Sequence, residues 1–178
     1  RLTTEAVHEL VVGGEVGDFE FEFQARVTGG NNSGVQYRSK VLDPGRWTVA
    51  GYQMDLHPKP SYLGMLYEEQ GRGVVCERGQ RVKLLDVPNV TGNLEVAEVD
   101  LAVWNSYRIV AQGFVLRHFV NGRLAAEIQD MQPEKRTIKG IIALQLHAGP
   151  AMKVEFKDLR IQCGQKSDSS GSPAAVWI

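Results

Sequence analysis

Apolar and polar residues alternate with a period of two along most of this chain, and the 3.6-residue period of an amphipathic helix is almost absent. In DFEFEFQARV, Phe19, Phe21, Phe23, Ala25 and Val27 fall on one face, opposite Asp18, Glu20, Glu22, Gln24 and Arg26, as in a half-buried antiparallel strand. Similar runs follow at GVQYRSK, GYQMDLH, QRVKLL, SYRIVAQ, FVLRHFV, GRLAAEI, GIIALQLH and MKVEFKDLRI, separated by turn signals such as VNGR. Many short strands without intervening helices predict an all-β chain, a two-sheet antiparallel β-sandwich of the jelly-roll kind. The alternation slips at Lys157 and Asp158, which predicts a bulge there.

At 178 residues and 43% hydrophobic, the chain is long enough to bury one sizeable core. The expected organisation is a jelly-roll domain over 1–163 and a tail or linker over 164–178, whose SDSSGSPAAVWI turns from polar to apolar. Net charge is −1 and the basic residues are scattered, which argues against nucleic acid and anionic membranes as partners. No apolar run approaches the ~18 residues of a membrane span. The leading RLTTEAVHEL lacks the features of a signal peptide, so the expectation is a cytoplasmic protein or an export signal trimmed from this chain. Cys76 and Cys163 are too few for a disulfide framework and read as two unpaired small core residues.

The polar faces of three strands are unusual. Gln36 and Arg38 stand where Lys, Glu or Thr commonly face solvent; GYQMDLHP carries Gln53, Asp55 and His57, and GIIALQLHAG carries Gln145 and His147. Together they offer donors, acceptors and a ring that titrates near neutrality, the inventory needed to hold a polyhydroxyl ligand. If these strands are neighbours, one sheet has a polar face fit for a sugar, with Asn31 to Gly34 as the tight turn into it. A second candidate cluster, Tyr67, Glu68, Glu69 and Arg72, lies where a strand runs into a Gly-rich loop. Of the aromatic residues Tyr37, Tyr52, Tyr62 and Tyr67, able to stack on sugar rings, half are expected in the core.

Asp18, Glu20 and Glu22 share a strand face, as do the acids of the Glu-x-Asp-x-Glu strand of family-16 glycoside hydrolases, but the order of residue types differs. No phosphate-binding loop, dinucleotide glycine motif, H-E-x-x-H, paired C-x-x-C or G-x-S-x-G is present, which removes phosphate-cofactor and serine-hydrolase chemistry.

Taken jointly, GDFEFEFQ, NSGVQYRS, GYQMDLHP, GMLYEEQGRG, WNSYRIVAQG, HFVNGRLAAEI, GIIALQLHAG and VEFKDLRI resemble, in order, the 3-keto-disaccharide hydrolase domain, a concanavalin A-like jelly roll. The likeness runs from about Gly17 to Ile161. A "dGW"-like turn usual before the first long strand is missing, and the N-terminus is read as trimmed or divergent. The resemblance implies cleavage of glucosides whose C3 hydroxyl a partner sugar 3-dehydrogenase has oxidised, and a periplasmic or secreted location. A C3 ketone acidifies the C2 proton; a base removes it, an electrophile stabilises the enolate at O3, the aglycone leaves C1, and water adds back, for net hydrolysis.

On this reading His147 or Asp55 is the base, Arg38 the enolate partner, and Glu68 or Tyr67 the acid. Gln36, Gln53, Tyr67, Arg72, Gln145 and His57 hold substrate. No organic cofactor is implied; a divalent metal held by Asp55, His57, Glu68 and His147 is an alternative to Arg38. Three rival functions use the same features: a non-catalytic carbohydrate-binding module, an ordinary glycosidase with Asp55 and Glu68 as its carboxylate pair, and a structural or adhesion domain.

Overall fold

The computed structural model describes residues 8–12, 14–164 and 175–177. Among them it contains fourteen strands and no helix: β1 His8–Val11, β2 Phe19–Gly29, β3 Ser33–Asp43, β4 Thr48–Leu56, β5 Leu66–Glu69, β6 Gly73–Cys76, β7 Gln80–Leu84, β8 Pro88–Asn93, β9 Asn105–Gln112, β10 Val115–Val120, β11 Arg123–Asp130, β12 Ile141–Leu146, β13 Met152–Cys163 and β14 Ala175–Trp177. A six-stranded sheet runs β1-β12-β3-β4-β5-β6 and an eight-stranded sheet β14-β13-β2-β9-β10-β11-β7-β8. All pairs are antiparallel except β7 with β11. The jelly-roll sandwich expected from the alternation is the observed architecture.

The sheets close on their apolar faces. Phe19, Phe21, Phe23, Ala25 and Val27 of β2 are all buried, as their period-two spacing dictates, and face Tyr37, Tyr52, Met54 and Leu56 of the other sheet within one core. Phe19 meets Tyr37 edge-on at 5.9 Å, and Phe23 stacks on Tyr107 at 5.2 Å. Burying each such ring contributes roughly 1.5–3 kcal/mol. His118 is also wholly inside, accepting from the Tyr37 hydroxyl at Nε2 (2.8 Å) and donating from Nδ1 to the Gly64 carbonyl (3.0 Å). Burial pushes its pKa down to about 4, so the ring is neutral.

Local signals act where the sequence places them. Asn121 and Gly122 both take positive φ, 50° and 76°, as the tight β10–β11 hairpin requires. The β2–β13 register shifts between Lys157 and Arg160, with Asp158 at φ 53°, which is the expected bulge. Both cysteines are unpaired, as expected, and Cys76 lies in the core, but Cys163 is exposed at the end of β13 and not a core residue. Of the expected tail, 165–174 and 178 lie outside the described residues, and Ala175–Trp177 pairs with β13.

Candidate functional site

Strands β12, β3, β4 and β5 are consecutive neighbours in the six-stranded sheet, so the polar faces singled out in the sequence do meet. Register aligns Ala143, Gln36, Gln53 and Tyr67 in one row and Gln145, Gly34 and Asp55 in the next. One step further, beyond the ladders, come His147, Asn32 and His57. All share the parity opposite to the core-facing Tyr37, Tyr52, Met54 and Leu144.

Gly34 makes this arrangement feasible. A Cβ there would lie 2.8 Å from the side chain of Gln53, so only glycine lets Gln53 lie flat across β3. From that position the Gln53 amide donates to Oδ1 of Asp55 and, at 3.3 Å, to Oε1 of Gln145. Its own Oε1 is buried with no partner among the described residues. Asp55 is only 3% exposed, and burial pushes its carboxyl up to about 7; the Gln53 hydrogen bond opposes that shift and nearby Glu69 adds to it. A carboxyl poised at neutral pH is suited to take or give a proton.

The two histidines hold complementary tautomers. Nδ1 of His57 accepts from the Lys59 amide at 2.9 Å, so the neutral ring carries its proton on Nε2. Nδ1 of His147 faces the Ala148 carbonyl at 2.6 Å and must donate, which leaves Nε2 as the acceptor. His57 stands edge-on to Tyr62 at 5.2 Å, and its pKa is lowered by burial first, then by Lys59 and His147. The NNSG turn fixes the His147 segment: the Asn31 amide donates to the carbonyls of His147 and Ala148, both at 3.1 Å, and the Ser33 hydroxyl to that of Gln145 at 2.6 Å. Asn31 thus acts within the tight turn expected from the sequence, and Glu69 of the second candidate cluster shares its parity with Tyr67.

Two expected members are elsewhere. Arg38 takes φ 47° in a bulge where the β3–β4 register shifts between Tyr37 and Lys40, and this turns it off the Gln36 face. Its guanidinium is 1% exposed and committed: Nη2 to Asp18 at 2.8 Å, Nε to the Gly17 carbonyl at 3.1 Å, Nη1 to the carbonyls of Gly113 at 2.6 Å and Thr137 at 3.4 Å. It ties loops together and is not free to meet an enolate. Glu68 pairs with core-facing Tyr52 and so points to the opposite side of the sheet from Asp55.

There Glu68 accepts from Arg72, which also donates to Asp130 at 2.6 and 3.2 Å, while the Tyr52 hydroxyl donates to Asp130 at 2.6 Å. Glu68 and Arg72 therefore form an inter-sheet ionic network rather than a substrate site. Asp55 and Glu68 cannot flank one glycosidic bond, and the metal set that needed both does not converge. Among the described residues no three His, Cys, Asp or Glu side chains group as metal ligands. Of the tyrosines, Tyr37 and Tyr52 are core and Tyr67 lies on the polar face.

Polar cavities also lie elsewhere on the molecule. One of about 440 Å³ on the eight-stranded sheet is lined by Glu22, Gln24, Arg108 and Asp158, where Gln24 bonds Asp158 and Arg108 bonds Glu20. Asp18 and Glu20, which head the acidic strand, are thus counterions of Arg38 and Arg108.

With this geometry in hand, residues 2–162 match the family model of the 3-keto-α-glucoside-1,2-lyase-like domain. The chain belongs to this family. No curated protein matches the sequence. Solved structures share the fold of this family member at low identity. Carbohydrate binding module CBM66 from Bacillus subtilis has a TM-score of 0.57 at 13% identity, with 87% of this chain and 81% of that one covered. A protein of unknown function with a galectin-like fold, also from Bacillus subtilis, gives 0.62 at 11%, covering 90% and 79%. A candidate glycosyl hydrolase from Parabacteroides distasonis gives 0.57 at 16%, covering 87% and 76%.

Proposed function

We propose that the polar face of the six-stranded sheet cleaves the glycosidic bond of 3-keto-glucosides by elimination and rehydration. The observation that carries this reading is Asp55, a buried carboxyl held near neutral pKa among three glutamines and two histidines. Lying over Asp55, the sugar gives up its C2 proton to the carboxylate, and the electron pair passes to O3 as the enolate. Tyr67, whose pKa is raised by burial and by Glu69 and Asp55, stays protonated and hydrogen-bonds O3. As the C1–O bond breaks, Nε2–H of His57 protonates the departing oxygen. His147 then uses its Nε2 to take a proton from water as that water adds to C1, and Asp55, its carboxyl proton exchanged with solvent while the eliminated sugar is bound, returns a solvent-derived proton to C2. Gln36, Gln53 and Gln145 hold the remaining hydroxyls.

The test is product analysis by mass spectrometry after incubation with a 3-keto-α-glucoside and with the unoxidised glucoside, each with and without chelator. Cleavage of the keto substrate alone is expected, with kcat/KM rising with pH through a midpoint near the Asp55 pKa of about 7. Equal cleavage of both substrates would contradict elimination. Binding without cleavage of either would identify a carbohydrate-binding module.

A further inference from the structure

Strand β4 leads from Asp55 to His57 and then into the loop Pro58–Leu63, which is not used by the chemistry above. Facing that loop is the segment Glu95–Leu101, anchored by the Val27 amide on the Leu101 carbonyl at 2.8 Å and the Leu94 amide on the Gly79 carbonyl at 2.7 Å. Between them opens a cavity of about 450 Å³, within the ~300–1,000 Å³ range of small-molecule sites. His57 lines it, so the cavity is continuous with the end of the polar face.

Its walls differ sharply from that face. Pro58, Pro60, Leu63, Val99 and Leu101 supply apolar surface, and the two prolines lack even a backbone donor. A second pyranose carries hydroxyls around its whole ring, and those turned toward the five apolar residues would find no partner, with His57, Arg78, Glu98 and Asp100 left to serve the rest. A flat aromatic group meets no such penalty. One cation is at hand: Arg78 lines the cavity and bridges the two segments, its amide on the Ser61 carbonyl at 2.9 Å and its Nη2 on the Ala97 carbonyl at 2.6 Å. Glu98 and Asp100 also line the cavity and disfavour an anion.

We propose that this cavity is the aglycone subsite, built for a flat aryl group bearing a neutral acceptor oxygen that meets the Arg78 guanidinium. The orientation rests on the proposed function: with C2 over Asp55 and O3 toward Tyr67, C1 and its aglycone point past His57 into the cavity. Those enzymes that supply such substrates would then oxidise C3 of aryl-bearing glucosides before this step.

The experiment compares methyl, benzyl and 4-acetylbenzyl 3-keto-α-glucosides, whose leaving alcohols have similar acidity, so that differences report binding rather than departure. Turnover is measured on the whole wild-type chain, and dissociation constants on Asp55→Asn. The benzyl compound should exceed the methyl one at least tenfold in kcat/KM and in affinity, and the acetyl group should add a further several-fold. Pro60→Asp, at an exposed loop position, should reduce the benzyl preference to under threefold while leaving the methyl compound unchanged. Arg78→Met should remove only the acetyl increment. Equal binding of methyl and benzyl compounds, with turnover intact, would overturn the subsite and leave the chemistry standing. Tighter benzyl binding that Pro60→Asp abolishes, without turnover, would uphold the subsite and overturn the chemistry.

Discussion

Asp55 is where stability and function pull against each other. Folding raises its pKa from 3.8 to about 7, so the folded state favours the protonated form, and stability is lost as pH rises from about 4 through 7. Asp55→Asn keeps an acceptor for Gln53 and removes that cost. It should stabilise the chain by up to roughly 4 kcal/mol at pH 8, read by urea unfolding, while lowering turnover by at least a hundredfold. A destabilised Asp55→Asn would mean that the carboxylate is held by contacts stronger than the Gln53 hydrogen bond. Gly34→Ala tests the support around it. The new methyl group displaces Gln53, whose hydrogen bond lowers the Asp55 pKa, so the midpoint of the pH–rate profile should move upward and kcat/KM at pH 7 should fall.

At the level of strands, the outcome for each candidate depends on phase. Gln36, Gln53, Asp55 and Gln145 were legible because each sits in an uninterrupted period-two run, and parity alone puts them opposite the core. Arg38 was misread because a bulge with positive φ at an arginine leaves no mark in the residue pattern, unlike the Asn-Gly hairpin at Asn121. Glu68 and Glu69 are adjacent polar residues with no alternation to distinguish them, and their phase is set only by the pairing of Gln53 with Tyr67. Strand adjacency is a long-range property that a single sequence does not encode locally. Arg38 now carries a different prediction: Arg38→Ala should destabilise the fold by about 2–4 kcal/mol, through loss of Asp18 and three carbonyl contacts, while folded protein keeps its kcat. Thermal unfolding and turnover measured on the same preparation check both halves.

For the whole molecule, two buried groups with opposite titration shape the dependence of stability on pH. His118 is neutral when folded, with a pKa of about 4 against 6.5 in the unfolded chain, so the unfolded state binds the extra proton and stability rises with pH between those values. Asp55 acts in the opposite sense over nearly the same window. The two contributions offset each other between about pH 4 and 6.5, and Asp55→Asn should expose a slope of about 1.4 kcal/mol per pH unit from His118 alone. A flat profile in that variant would show that His118 charges without unfolding. The sandwich itself tolerates the polar face because the core lies on its other side, with Tyr37 and Tyr52 closing it.

On the proposed mechanism Asp55 removes the C2 proton of an oxidised sugar. Its most direct test is cleavage of a 3-keto-α-glucoside in D2O at early times, with the released sugar analysed by mass spectrometry beside an enzyme-free control. Elimination and rehydration predict one solvent deuterium at C2 for each bond cleaved, and its loss together with cleavage in Asp55→Asn. Cleavage by the wild type with C2 still carrying hydrogen would contradict the account and indicate direct displacement at C1.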